Sequence, residues 1–165
     1  MVPQDGFLFE ASIRENIRFG RPGATDADIG EAIASLGLTD WIETLSAGLD
    51  TEAGERGESI SVGERQLVAL IRAQLANAGL LILDEATSAV DPETEVRMAG
   101  ALERLSEGRT TISIAHRLST AERSDLVIVM DDGRIVESGA HDELITQGGI
   151  YAALHRDWVG NTKAS

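Results

Sequence analysis

The chain has 165 residues and a formal net charge of −14, which argues against nucleic acid as a partner because a phosphate backbone needs a basic footprint. Its 42% hydrophobic content suffices for the core of one domain, but no apolar run approaches the roughly 20 residues of a bilayer span, and the N-terminus lacks a secretory pattern. With no cysteine, disulfides and thiolate metal sites are excluded, and the cytoplasm is the default compartment.

The first part of the chain carries a helical pattern. Gln4 stands beside a proline, where a glutamine is ordinary loop sequence, and its opening position indicates that the chain begins mid-domain. Thr25 predicts the cap of a helix that ends at Gly37, and Trp41 belongs to the core side of a second, short helix. Residues 51–57 have the composition of a solvated, glycine-rich turn.

Residues 59–76 predict a helix with a polar start. Ser61 can cap the first amides while Glu64, three residues on, reaches back to the cap amide. A second interpretation is that Ser61 and Gly63 leave a hydroxyl and a bare backbone at the positive end of the helix, where a phosphate is stabilised. Capping boxes are common, so these residues alone leave both interpretations open.

Residues 80–83 form a short apolar run that predicts a strand buried on both faces. The run ends in two adjacent carboxylates, Asp84 and Glu85. An acid at such a position can hold magnesium through water, and the next can orient or deprotonate an attacking water in phosphoryl transfer. We assign the first role to Asp84 and the second to Glu85.

The rest of the chain alternates helices and strands. Pro92 predicts a helix start after Asp91, and a strand at residues 110–115 is followed directly by His116. Two further strands, at residues 126–130 and 134–137, surround an Asp-Gly pair that predicts a hairpin turn. Two C-terminal helices are predicted, the first opening at residue 141 and the second containing residues 151–158.

In order and spacing these motifs resemble the nucleotide-binding domain of exporter-type ABC transporters. The similar segments are Ile13-Arg14-Glu15-Asn16-Ile17 after the Q-loop, Ile60-Ser61-Val62-Gly63-Glu64 at the signature, Leu80-Leu81-Ile82-Leu83-Asp84-Glu85 at Walker B, and Ser88-Ala89-Val90-Asp91 at the D-loop. The family signature is usually Leu-Ser-Gly-Gly-Gln, so this chain departs from it at Val62 and Glu64. We expect Glu64 to turn back into the capping box, away from a triphosphate.

The resemblance implies ATP and Mg²⁺ as ligands and assigns roles to eight residues. Gln4 and Asp84 contact magnesium, Glu85 is the general base, and Gln4 and His116 surround the attacking water and the γ-phosphate. The residues that face the nucleotide of an opposite subunit are Ser61, Gly63, Glu64 and Asp91. In this family the subunits dimerise head to tail, so each nucleotide lies between one phosphate loop and the other subunit's signature.

The phosphate loop itself is missing, because the only lysine, Lys163, lies in the tail and no Gly-x-x-x-x-Gly-Lys-Ser/Thr sequence exists. The resemblance therefore implies the later two-thirds of a P-loop NTPase-like α/β domain. Its mostly parallel sheet is incomplete, with a helical subdomain at about residues 10–76 and core elements at about residues 77–165. We expect the gap in the sheet to expose apolar surface and two strand edges.

The leading hypothesis is an ATP-binding and ATP-hydrolysing component of an ABC exporter. It would lie at the cytoplasmic face of the membrane, with a second nucleotide-binding domain and the coupling helices of a transmembrane domain as partners. The alternatives are a non-hydrolytic module that supplies its signature in trans to a complete partner domain, and an inactive remnant.

Overall fold

The computed structural model describes residues 7–84, 91–115 and 118–162. The chain divides into two compact units, Met1–Ile114 and Ala115–Ser165. Among the described residues, every helix falls short of the length and apolar character that a membrane span requires.

The described part of the first unit contains five α-helices and two strands: α1 (Ile13–Arg18), α2 (Asp26–Ser35), α3 (Thr39–Thr44), α4 (Val62–Ala76), β1 (Leu80–Asp84), α5 (Pro92–Ser106) and β2 (Thr110–Ile114). Two single 3-10 turns, Gly48–Asp50 and Glu55–Gly57, separate α3 from α4. The second unit contains α6 (Leu118–Glu122), β3 (Val127–Asp131), β4 (Arg134–Gly139), α7 (His141–Gln147) and α8 (Ile150–Thr162).

The helix boundaries follow the capping residues of the sequence. Thr25 forms a complete capping box with Asp28 at the start of α2, and Gly37, just beyond the end of that helix, has φ of +68°. Only glycine adopts that conformation without a steric cost, which is why the helix ends there. At the start of α5, Asp91 caps the helix and Pro92 occupies its first turn, as predicted.

The core of the first unit is built around α4, which packs against α1, α2 and α5. Leu67 and Ile71 of α4 are fully buried, and Trp41 of α3 is 2% exposed. Burying one such side chain contributes about 1.5–3 kcal/mol, so this helix supplies much of the stability of the unit.

The strands β1 and β2 pair in parallel, with Leu80 opposite Thr110 at one end and Asp84 opposite Ile114 at the other. The prediction that β1 is buried on both faces is wrong. Leu81 is 1% exposed, whereas Leu80 and Ile82 are 46% and 39% exposed. A two-stranded sheet offers only one face to this helical core, so the expected exposed apolar surface is present.

The second unit contains the predicted hairpin. The strands β3 and β4 pair antiparallel in a separate sheet, with Asp131 opposite Arg134 and an irregularity between Val129 and Met130. Asp132 and Gly133 both have positive φ, 50° and 75°. That pair of angles matches the tight hairpin turn for which Asp-Gly is preferred.

A small apolar cluster forms the core of the second unit. Leu144 of α7 is 1% exposed and Tyr151 of α8 is 4% exposed, and both pack with Ala121 and Val127. The described strands of the chain thus form one parallel and one antiparallel pair within a mixed α/β architecture.

Candidate functional site

Ser61 and Glu64 fix the start of α4. The Ser61 backbone is extended, and its Oγ accepts the Glu64 amide at 3.2 Å. The Glu64 carboxylate returns the bond, since its Oε2 accepts the Ser61 amide at 2.8 Å. The predicted turning of Glu64 into a capping box is therefore confirmed.

A third residue holds the Glu64 carboxylate in place. The indole Nε1 of Trp41 donates to Glu64 Oε1 at 3.4 Å, so both carboxylate oxygens have partners within the protein. A buried indole usually finds a hydrogen-bond acceptor, and here the acceptor is the residue at which the signature departs from the family. The sequence predicted Trp41 only as a core residue, because nothing in its spacing linked it to position 64.

The segment before the signature is held by Arg65. Its Nη1 donates to the carbonyls of Gly57 and Ile60 at 3.1 and 3.5 Å. Gly57 has φ of +80°, and a Cβ there would lie 2.9 Å from Cδ of Arg65 and 3.4 Å from the Leu8 side chain. Any larger residue at position 57 would therefore displace the arginine that positions this loop.

Asp91, the predicted D-loop residue, is the N-cap of α5. Its Oδ1 accepts the Thr94 amide at 3.0 Å. That backbone hydrogen bond, with the Thr94 side chain adding to it, lowers the pKa of the exposed Asp91 carboxyl. The residue stays ionised at the positive end of a helix, where its charge is favourable.

The remaining predicted site residues have limited or no description. Asp84 is the last residue of β1 and pairs in register with Ile114, but its side chain is outside the description. Gln4, Glu85 and His116 lie outside the described residues.

Sequence reasoning missed a buried polar group at Asn16, which is 1% exposed. Its Oδ1 accepts the Phe9 amide at 2.9 Å and a guanidinium hydrogen of Arg72 at 2.7 Å. Its Nδ2 donates to three carbonyls at 3.0–3.2 Å, those of Phe9, Ala11 and Ser12. One amide side chain thus fixes the course of the segment that follows the predicted Q-loop.

Arg72 of α4 completes this group. Nε and Nη1 donate to the carbonyls of Asn16 and Phe7 at 2.5 and 2.6 Å, and partial burial lowers the pKa of the guanidinium. The same guanidinium lies 6.0 Å from the ring centroid of Phe19. Arg72 therefore adds these two hydrogen bonds to the packing of the signature helix against the Phe7–Phe19 segment.

Three aromatic rings from that segment form one exposed group, which we name the aromatic patch: Phe7, Phe9 and Phe19. The centroids of Phe7 and Phe9 are 5.1 Å apart, and those of Phe9 and Phe19 are 4.5 Å apart. The three side chains are 57%, 40% and 61% exposed. The three rings therefore form one exposed apolar group on the first unit.

The start of α4 has one feature that favours a phosphate and two that do not. Ser61 is exposed at the positive end of a 15-residue helix. Gly63, however, is buried, and the amides of Ser61 and Glu64 are both used within the capping box. The Glu64 carboxylate is held by the Ser61 amide and by Trp41. The Ser61 hydroxyl accepts the Glu64 amide and keeps its own proton for an anionic oxygen.

Comparison with known proteins places this geometry in a family. The ABC transporter family model matches residues 1–88. The chain is 49% identical over 154 residues to the uncharacterised ABC transporter ATP-binding protein YknV of Bacillus subtilis, covering 93% of this chain and 26% of that protein. It is 52% identical over 153 residues to the β-(1→2)glucan export ATP-binding/permease protein NdvA of Agrobacterium vitis, with the same two coverages.

A solved structure agrees. The chain superposes on a bacterial Atm1-family ABC exporter with ATP bound at a TM-score of 0.80 and 45% identity, covering 92% of this chain and 27% of that one. The chain thus spans about a quarter of the length of the relatives it matches. On the family model, the sequence identities and this shared fold, the chain belongs to the ABC transporter family.

Proposed function

We propose that this chain is part of the ATP-hydrolysing domain of an ABC exporter and that its contribution to the nucleotide site is the signature turn at the start of α4. The observation that carries the proposal is the capping arrangement of Ser61 and Glu64. It presents a hydroxyl and a helix N-terminus while the neighbouring carboxylate is bound by protein donors. Export is the proposed direction because the NdvA and Atm1-family relatives are named as exporters.

The proposed roles of the other residues follow the chain. Glu85 succeeds the last residue of β1, and His116 lies two positions beyond the last residue of β2. Because β1 and β2 are parallel and in register, their carboxyl ends share one sheet edge. In this proposal Asp84 and Gln4 hold Mg²⁺, Glu85 accepts a proton from the attacking water, and His116 donates to the γ-phosphate. Magnesium, when bound, neutralises phosphate charge.

The signature residues act on a nucleotide held by another subunit. Ser61 and Gly63 orient the phosphates through a hydroxyl and backbone amides, and Asp91 lies in the D-loop that crosses the head-to-tail interface. We further propose that residues 10–76 form the helical subdomain and residues 77–165 the remaining core part. The aromatic patch is the surface that receives the coupling helices of a transmembrane partner, because its rings are exposed and held as one group.

The second candidate is a module without hydrolytic activity of its own. The only lysine among these 165 residues is Lys163, so this candidate takes the loop that grips the β- and γ-phosphates from a complete partner domain. Such a module would supply Ser61 and Gly63 in trans to a complete domain. An inactive remnant is the third outcome that the experiment below separates.

The test measures ATP hydrolysis by the purified chain alone and mixed with a complete nucleotide-binding domain. If the signature acts in trans, the chain alone should not hydrolyse ATP, but it should stimulate hydrolysis by the partner domain. The Ser61→Arg variant should lose this stimulation. Thr25→Arg is the matched control, because it removes the other Ser/Thr capping box of this unit at a helix with no proposed nucleotide role.

Three results decide against parts of the proposal. Hydrolysis by the chain alone that disappears in Glu85→Gln would refute the in-trans module and require a complete site in this chain. Equal loss of stimulation in Ser61→Arg and Thr25→Arg would show that only folding of the helical region matters. If the folded wild-type chain does not stimulate ATP hydrolysis by the partner domain, the chain is an inactive remnant.

A further inference from the structure

Three ligand-type side chains meet in the second unit, outside every predicted nucleotide residue. They come from three helices: Glu122 ends α6, His141 begins α7, and His155 lies in α8. One ligand atom from each lies within 4.8 Å of the others. Nε2 of His155 and Oε1 of Glu122 are 3.3 Å apart.

These distances fit a tetrahedral metal. With metal–ligand distances of about 2.0–2.1 Å, two ligands of a tetrahedral zinc are about 3.3 Å apart, which is the spacing of the His155–Glu122 pair. The third ligand atom has to approach by about 1.5 Å at most, a shift within the reach of side-chain torsions. The ring centroids of His141 and His155 are 5.2 Å apart, so the two imidazoles are neighbours.

A buried tyrosine supports one of the two imidazoles. The hydroxyl of Tyr151 lies 2.8 Å from Nδ1 of His141, and the Tyr151 side chain is part of the apolar cluster of this unit. In the tautomer that carries its proton on Nδ1, His141 donates to the Tyr151 hydroxyl and Nε2 is left free to ligate.

We propose that Glu122, His141 and His155 bind one Zn²⁺ ion, with water as the fourth ligand. Two imidazoles and one carboxylate select zinc and its first-row neighbours over magnesium or calcium, which prefer oxygen ligands. Glu122 is exposed and the histidines are half-buried, so the ion can enter from solvent.

The site would join three helices whose shared apolar cluster is small. The second unit has a limited buried core, and a metal that joins α6, α7 and α8 stabilises it as metals stabilise other small domains. The helix α6 also begins two positions after His116, so the ion would restrain the chain next to the proposed γ-phosphate residue. This role is structural and does not depend on the ATPase proposal.

The competing arrangement has no metal. His155 and Glu122 would be a surface ion pair, and His141 and Tyr151 a separate hydrogen bond. A surface pair contributes little, typically up to about 1 kcal/mol, and gives no reason for the second imidazole to lie against the first. Zinc titration separates the two arrangements.

The test is calorimetric titration of the untagged full chain with ZnCl2 after chelator treatment, followed by Co²⁺ substitution and visible absorption. We expect one saturable ion per chain at micromolar or tighter affinity, a tetrahedral Co²⁺ spectrum and a higher unfolding temperature with zinc. Glu122→Gln and His155→Gln should each weaken binding at least tenfold, and Tyr151→Phe, which leaves the ligands intact, about tenfold.

His116→Gln is the matched control, since it removes the only other histidine, and Glu103→Gln reports zinc bound loosely by the acidic surface. Both should leave the affinity and the Co²⁺ spectrum unchanged. Absence of saturable binding by the folded chain would overturn the proposal. So would binding that survives Glu122→Gln and His155→Gln, or binding that His116→Gln removes equally. Because Glu122 is exposed, its variant remains informative if a histidine variant fails to fold.

Discussion

Replacing Asn16 with alanine tests how the segment bearing the aromatic patch is held. The Asn16 side chain makes five hydrogen bonds, at 2.7–3.2 Å, and is 1% exposed. Its removal deprives the Phe9 amide and one arm of Arg72 of an acceptor and three carbonyls of a shared donor. Each donor left without a partner costs about 1–2 kcal/mol, and each carbonyl costs less. We therefore expect the free energy of unfolding to fall by about 3 kcal/mol.

The assay is urea unfolding of the full chain in a Trp158→Phe background, so that fluorescence reports the first unit through buried Trp41. For a chain of this size, the same loss of unfolding free energy corresponds to a fall of roughly 10 °C in the midpoint of thermal unfolding. Asn16→Asp is the informative companion, since it keeps the acceptor for Phe9 and Arg72 and replaces the donor to the three carbonyls.

The reasoning is refuted if Asn16→Ala costs less than about 1 kcal/mol, a value typical of surface changes and small perturbations. Glu31→Ala, on the exposed side of α2, supplies the reference and should change stability by no more than about 0.5 kcal/mol.

Three further predictions concern the described residues. Ser61→Ala removes the cap of α4 and should cost about 1 kcal/mol in urea unfolding, since the Glu64 amide loses its acceptor. Because folding lowers the pKa of Asp91, its contribution is full above the unfolded value of 3.8 and is lost as pH falls through the folded pKa. The stability difference between wild type and Asp91→Asn should therefore shift only below about pH 4. Ile112 is 54% exposed, so Ile112→Lys should reduce self-association, measured by sedimentation, with little loss of stability. Leu81 is buried, so Leu81→Lys should unfold the first unit.

Each of these has its contrary result. A Ser61→Ala variant as stable as wild type would mean that water replaces the cap at no cost. A difference between wild type and Asp91→Asn that changes between pH 5 and pH 7 would assign the titration to another group. Unfolding by Ile112→Lys would mean that this side of β2 is packed and that its apolar surface is not exposed.

Local chemistry explains what the sequence predicted correctly. The Ser61–Glu64 and Thr25–Asp28 boxes each join residues three positions apart, and the Asp-Gly turn is specified by two adjacent residues. Such features depend on backbone geometry within one turn, so one segment is sufficient to predict them.

The features that could not be predicted join distant segments. Asn16 and Arg72 are 56 residues apart, and no spacing rule connects an asparagine in one helix to an arginine in another. The burial of β1 was predicted wrongly because an apolar run does not reveal whether a second layer covers it, and here Ile82 faces outward. The meeting of His141 with His155 likewise depends on how two helices pack and not on a motif.

The hydrogen bond from Arg72 to the Phe7 carbonyl has a kinetic consequence. It closes a loop of 65 residues, whereas the β3–β4 hairpin closes through a two-residue turn. Hairpins form in about 1–10 μs, and contacts of large sequence separation form late because the closure entropy precedes any gain. In pulse-labelled hydrogen exchange during refolding, the β3–β4 amides should therefore gain protection before the Ile13 amide, which donates to the distant Thr51 carbonyl at 2.9 Å. Simultaneous protection of the two would show that contacts of large sequence separation form in the earliest folding step.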